Sequence, residues 1–140
     1  MVHVGDEVVI AKPLADVFTY AADINHYADW ATGVTELRPD AADLGAFIMR
    51  RDVGGRQIAT RFRVVELVLN RHFTLRGVSA GSPWTSTVTF ESVDGVTRVR
   101  EALELEVRGA ARLISPLLRR VISKTNRADL DGLKHRLDMG

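Results

Sequence analysis

The sequence contains no cysteine. That absence excludes disulfide staples, thiolate zinc sites, iron–sulfur clusters and cysteine nucleophiles together. No apolar run approaches the roughly 18 residues a transmembrane helix needs. Neither sign of charge is in excess: Lys+Arg 19 against Asp+Glu 18 leaves +1, which offers no electrostatic footprint for nucleic acid. Histidine is scarce, and His3, His26, His72 and His135 show no metal-ligand spacing, so neither a metal nor a cofactor is expected. No serine stands in a nucleophile-elbow context, and no glycine-rich loop is built to cradle phosphate. Asp6 and Glu7 stand where a signal peptide would carry its basic and apolar regions, which predicts a cytoplasmic protein.

What remains is the balance of an ordinary globular domain, 46% hydrophobic and 26% charged in 140 residues. No linker, repeat or low-complexity stretch divides it, so residues 1–140 read as one domain. Val4, Asp6, Val8 and Ile10 share one face of an opening strand over Val2 to Ile10. Pro13 suits a first helical turn, and Leu14, Val17, Phe18 and Ala21 recur at helical spacing to about Ala22. Asp23 is a natural N-cap for a second short helix from Ile24 to Ala31.

From Thr32 to Gly109 the period changes to two. Gly54-Gly55 is a two-residue hairpin turn that pairs Val53 with Arg56, Arg51 with Ile58, Met49 with Thr60 and Phe47 with Phe62. Asp94-Gly95 pairs Val93 with Val96, Val88 with Glu101, Ser86 with Leu103 and Trp84 with Leu105. With a turn at Asn70-Arg71, six strands are predicted at about 33–38, 45–53, 56–68, 72–79, 84–92 and 96–108. Ala110 to Leu137 reads as helix, restarting at Ser115-Pro116 with Ser as N-cap. Its predicted apolar stripe is Leu113, Leu117, Val121, Ile122, Thr125, Leu133 and Leu137. A long antiparallel meander twists and curls, and only this last helix is long enough to cover the concave face. The fold class is therefore α+β, a curved seven-stranded antiparallel sheet around a long C-terminal helix, with a space between the two.

Ile10-Ala11-Lys12-Pro13-Leu14-Ala15-Asp16-Val17-Phe18, then Asp23 and Tyr27-Ala28-Asp29-Trp30, resembles the opening of START-like (SRPBCC, helix-grip) proteins. Within these it is most similar to the polyketide cyclase/dehydrase and lipid-transport group. Ile114-Ser115-Pro116-Leu117-Leu118-Arg119-Arg120, with Leu130 and Leu133, resembles that group's closing helix. The resemblance spans essentially the whole chain and implies a ligand cavity between sheet and helix. It is specific for fold and weak for activity, because the matching positions are mostly packing positions.

Two charges fall on the predicted inward face, Arg51 and Glu101. An unpaired buried charge is costly, so they form a structural ion pair, reach solvent at a strand end, line a wet cavity as polar anchors for a ligand, or mark a slip in the register. Asp6 shares the inward face of the first strand. Trp84 is predicted inward near the mouth of its hairpin, as stacking surface or as core, and Trp30 as packing between the short helices and the sheet. Asn126, one turn beyond Ile122, faces the cavity or is exposed to solvent at the edge of the stripe. Arg119, Arg120, Lys124 and Arg127 read as a solvated helix face, with anionic lipid as the alternative contact.

The expected function is binding of a small hydrophobic or aromatic, lipid- or polyketide-like molecule. The pocket residues are Phe47, Met49, Arg51, Phe62, Leu75, Trp84, Ser86, Val88, Glu101, Leu103, Ile122 and Asn126. An alternative is a polyketide aromatase/cyclase or dehydratase with Glu101 as acid–base group and Arg51 as oxyanion partner. A third is an interaction protein whose cavity is vestigial, with Arg51 and Glu101 paired and the helix closed directly on the sheet. No nucleic acid and no integral membrane association are expected. A strand face rich in Thr and Arg predicts a monomer or a weak homodimer.

Overall fold

The computed structural model describes residues 1–139, with backbone only at 110 and 111. β1 (Val2–Ile10) leads into two short helices, α1 (Leu14–Ala21) and α2 (Ile24–Trp30). Strands β2 (Val34–Pro39), β3 (Ala46–Val53), β4 (Arg56–Val68), β5 (His72–Ser79), β6 (Ser82–Val93) and β7 (Val96–Leu105) follow. A 3-10 segment, Gly109–Ile114, runs into α3 (Ser115–Met139). All seven strands form one antiparallel sheet in the order β1-β7-β6-β5-β4-β3-β2, so β2 to β7 are a continuous meander and β1 closes onto β7. No helix is long and apolar enough to cross a membrane among the described residues.

Local chemistry explains the boundaries. Pro13, at φ −61° and ψ 149°, takes the cap position of α1 rather than its first turn, and its carbonyl accepts from Asp16 and Val17 N at 3.1 Å each. Asp23 caps α2 by accepting from Asn25 N at 2.9 Å. The β6–β7 hairpin turns on Asp94 (φ 52°) and Gly95 (φ 84°), the double positive φ that a type I′ turn demands. Both hairpins have the register read from their turns, Arg51 opposite Ile58 and Val88 opposite Glu101.

Two expectations for α3 are corrected. Ser115 has helical backbone (φ −51°, ψ −42°), so the 3-10 segment passes into α3 without an extended N-cap residue. The predicted stripe also starts on the wrong side, because Leu113 and Leu117 face solvent. The covered face is instead Leu118, Ile122, Asn126, Asp129, Leu130, Leu133 and Leu137. α3 lies chiefly along β1. Arg127 Nη1 donates to Asp6 Oδ1 at 2.9 Å and to the Glu7 carbonyl at 3.0 Å. Two turns further on, Lys134 Nζ donates to the Val9 carbonyl at 2.6 Å.

The interior divides along the axis of α3. Its C-terminal half closes the larger hydrophobic cluster, in which Leu130 and Leu133 join Val17, Phe18, Phe73, Phe90 and Val99. Under the N-terminal half a smaller cluster, Val2, Val4 and Val107 with Leu118 and Ile122, covers one edge. The cavity lies between these two clusters.

Candidate functional site

The cavity measures about 170 Å³ and opens to solvent. That is small beside the roughly 300–1,000 Å³ of most ligand sites, so one or a few rings define its scale. Met49, Ile58 and Leu75 form its sheet wall, Leu103 and Leu105 the β7 side, and Ile122 with Thr125 its helical roof. Trp84 supplies the aromatic wall. Its indole lies across Gly77, where a Cβ would stand 2.6 Å from Trp84 Cζ2 and 2.6 Å from the Arg61 carbonyl, so only glycine fits there. The indole N–H is fixed by Thr60 Oγ1 at 3.0 Å and Ser79 Oγ at 2.9 Å. These bonds fix the ring in the cavity wall.

The polar groups collect in two sets. In the first, Arg51 Nη2 meets Asp129 Oδ1 at 2.9 Å and the Thr32 carbonyl at 2.6 Å, and Nε reaches the same carbonyl at 3.1 Å. Thr32 N in turn donates to Asp129 Oδ1 at 2.6 Å. The side chains are 11% and 5% exposed, so this buried pair ties α3 to the α2–β2 connection. Burial acts against the Arg51 charge, but the groups facing it, the hydrogen-bonded Asp129 carboxylate among them, outweigh burial and keep it cationic. Burial pushes the Asp129 carboxyl up, opposed by Arg51 and by the Thr32 hydrogen bond.

The second set is Glu101 and its neutral partners. Glu101 sits in β7 between Asp6 of β1 and Val88 of β6. Ser86 Oγ donates to its Oε1 at 3.2 Å. The Asn126 amide, nitrogen turned toward it, donates to Oε1 at 2.9 Å and Oε2 at 2.7 Å. No cation forms an ion pair with Glu101 among the described residues. Its remaining accessible surface opens onto the cavity. Burial pushes its carboxyl up to about 8, the Asp129 charge adding to the rise while Ser86 and Arg51 oppose it. Near neutral pH this side chain can donate a proton to a hydrogen bond or accept one. Tyr27, between the two sets, is pushed up by burial, so its hydroxyl stays a neutral donor.

Of the residues expected to line the pocket, Met49, Arg51, Leu75, Trp84, Ser86, Glu101, Leu103, Ile122 and Asn126 are brought together on its wall. Phe47, Phe62 and Val88 are not. They point to the same side of the sheet but are packed behind the wall, Phe62 stacked on Phe47 at 5.7 Å and tilted on Trp84 at 6.1 Å. Asp6 is engaged outside the cavity by Arg127. Trp30 is buried against Tyr27, ring centroids 4.9 Å apart, away from the void.

Asp129 was findable, because Ile122, Asn126, Asp129 and Leu133 follow the i, i+4, i+7, i+11 spacing of one helix face. Tyr27, Thr125, Thr60 and Ser79 carry no sequence signal that separates them from packing or strand residues. The histidines are dispersed: His26 meets Asp29 at 3.1 Å, His72 pairs with Glu66, and His3 lies near Glu104. No group of three or more metal-ligating side chains converges among the described residues.

The family model described as polyketide cyclase / dehydrase and lipid transport matches residues 1–138. No curated protein matches this chain. Among solved structures, a START superfamily protein from Mycobacterium smegmatis is similar, with TM-score 0.78, 12% identity, and 98% of this chain and 97% of that chain covered. The Zhui aromatase/cyclase from a Streptomyces species is similar with TM-score 0.78 and 17% identity, covering 97% and 93%. The di-domain aromatase/cyclase StfQ of the steffimycin biosynthetic pathway matches with TM-score 0.80 and 16% identity, over 99% of this chain and 51% of that one. At such identities these likenesses show the fold alone.

Proposed function

The chain belongs to the polyketide cyclase / dehydrase and lipid transport family, and from that premise we propose that it binds a small hydrophobic or aromatic molecule in the cavity between sheet and α3. One observation carries this reading: an open, largely apolar cavity holds a carboxyl group, Glu101, with no cation paired to it. A protein using this interior only for packing would gain by filling the void and replacing the acid. The ligand's apolar body lies against Trp84, Met49 and Leu103, and its carbonyl or hydroxyl meets Glu101. Arg51 contributes less, because Asp129 already matches its charge. The reading as an interaction protein expected Arg51 and Glu101 to pair and the void to close, and neither feature is present.

Native mass spectrometry of the protein purified from its own host tests the reading. A stoichiometric apolar or aromatic occupant is expected, displaced when Ile122→Trp fills the roof of the cavity. A clean apo mass, with no thermal shift from lipids or polyketide-like aromatics, contradicts it.

A second reading, aromatase/cyclase or dehydratase chemistry, draws support from the same acid. A carboxyl group titrating at about 8 suits proton transfer at neutral pH next to an enolisable carbonyl. In that reading Glu101 moves the proton, and Asn126 and Ser86 orient it. Glu101→Gln then abolishes turnover of a polyketide-like substrate while retaining the bound molecule. Equal loss of retention and turnover assigns Glu101 to binding alone.

A further inference from the structure

The charge balance of the whole chain conceals a segregated segment. Between Val107 and Ala128 stand Arg108, Arg112, Arg119, Arg120, Lys124 and Arg127, without one Asp or Glu. The rest of the chain is net negative. Arg108 and Arg127 have carboxylate partners, whereas Arg112, Arg119, Arg120 and Lys124 form no ion pair among the described residues. The same segment exposes its aliphatic side chains, Leu113 by 85%, Leu117 by 58% and Ile114 by 50%. Leu113, Leu117, Arg120 and Lys124 follow i, i+4, i+7, i+11 spacing, the side of the helix turned away from Ile122 and the sheet.

We propose that the outward face of this 3-10 segment and of the N-terminal turns of α3 is a docking surface for an anionic lipid bilayer, on the outer side of the cavity's helical roof. Apolar tips flanked by long cationic side chains are the arrangement an interfacial helix uses: the aliphatics enter the headgroup boundary, and Arg and Lys reach lipid phosphates. Leucines exposed to this degree gain nothing in water, and a row of unpaired cations beside them is complementary to an anionic interface. The face does not line the cavity, and a protein partner would want a cleft for its anchoring side chain. A bilayer needs no such cleft. Position strengthens the assignment. On the inner side of the same turns Ile122 and Thr125 line the cavity, and the neighbouring Val121 rests against Gly54 of the β3–β4 turn. This placement sets the roof of the cavity against the membrane surface, and it does not depend on what the cavity holds.

Cosedimentation of the full chain with vesicles at low salt tests the proposal, comparing phosphatidylcholine alone with equal parts phosphatidylcholine and phosphatidylglycerol. Binding to the anionic vesicles only is expected, falling as salt rises. Arg120→Gln with Lys124→Gln weakens it by roughly thirtyfold. Leu113→Ser with Leu117→Ser weakens it by about tenfold or more. All four side chains are exposed, so thermal melts of both double variants match the parent. Equal binding to both vesicle types, or to neither, overturns the proposal. Loss on removing the charges with no effect of the leucine changes also overturns it, and marks a surface for a soluble polyanion or an acidic protein.

Discussion

Arg51 and Glu101 enter the interior from strands near opposite edges of the sheet, β3 and β7, face the same cavity, and are treated differently by the fold. Arg51 meets an opposite charge, Asp129, and a backbone carbonyl, so its charge is used in holding α3 to the α2–β2 connection. Glu101 meets only a hydroxyl and an amide, which leaves its charge unmatched and its proton labile. Burial alone therefore does not identify a functional group. A buried charge with a charged partner is structural; a buried acid with neutral partners, open to a void, is available to a ligand.

The largest expected effect comes from breaking the matched side. Arg51→Met leaves Asp129 buried without its cation and should cost about 3–5 kcal/mol in denaturant unfolding. The double variant Arg51→Met with Asp129→Leu should recover most of that loss, because two apolar groups replace the pair. A single variant as stable as the parent removes the structural role assigned to Arg51.

Next comes the pH dependence of the unmatched side. The Glu101 carboxyl titrates at about 8 in the folded chain and near its ordinary value when unfolded. The folded state therefore holds the proton more tightly. Its contribution is complete below the unfolded value and is lost as pH rises toward 8, at about 1.4 kcal/mol per pH unit at most. Glu101→Gln removes this slope. Unfolding curves of parent and variant should diverge across that window, the parent losing stability relative to the variant, and should run parallel above it.

Glu101 owes its place to the turn that sets its register. Gly95→Val puts a β-branched residue at φ 84°, and the position has open space around it, so backbone strain alone should cost about 1 kcal/mol or more in a thermal melt. The smallest effect belongs to the exposed pair. Arg127→Ala removes a partner of Asp6 that water largely screens, and its cost should stay under about 1 kcal/mol in the same melt.

These differences explain what the sequence could and could not reveal. Turn chemistry at Gly54-Gly55 and Asp94-Gly95 fixes register, and register fixes which residues point inward, so the hairpins and the inward positions of Arg51 and Glu101 were legible. Alternation names a face but not a depth. Phe62 and Val88 point inward as Met49 and Leu103 do, yet lie where neighbouring side chains fill the space, while Met49 and Leu103 border the void. Which acid Arg51 would choose depended on how α3 rotates over the sheet. Leu113 and Leu117 suggested one rotation from hydrophobicity alone, and Asn126 with Asp129, polar but buried, required the other.

A crystal structure of the protein with its co-purified occupant tests the contrast between the two inward charges most directly. The account predicts a polar atom of the occupant within hydrogen-bond reach of Glu101, its apolar body against Trp84, and the Arg51–Asp129 pair intact. An occupant seated on Arg51 with Asp129 displaced, or an interior holding water alone, would contradict it.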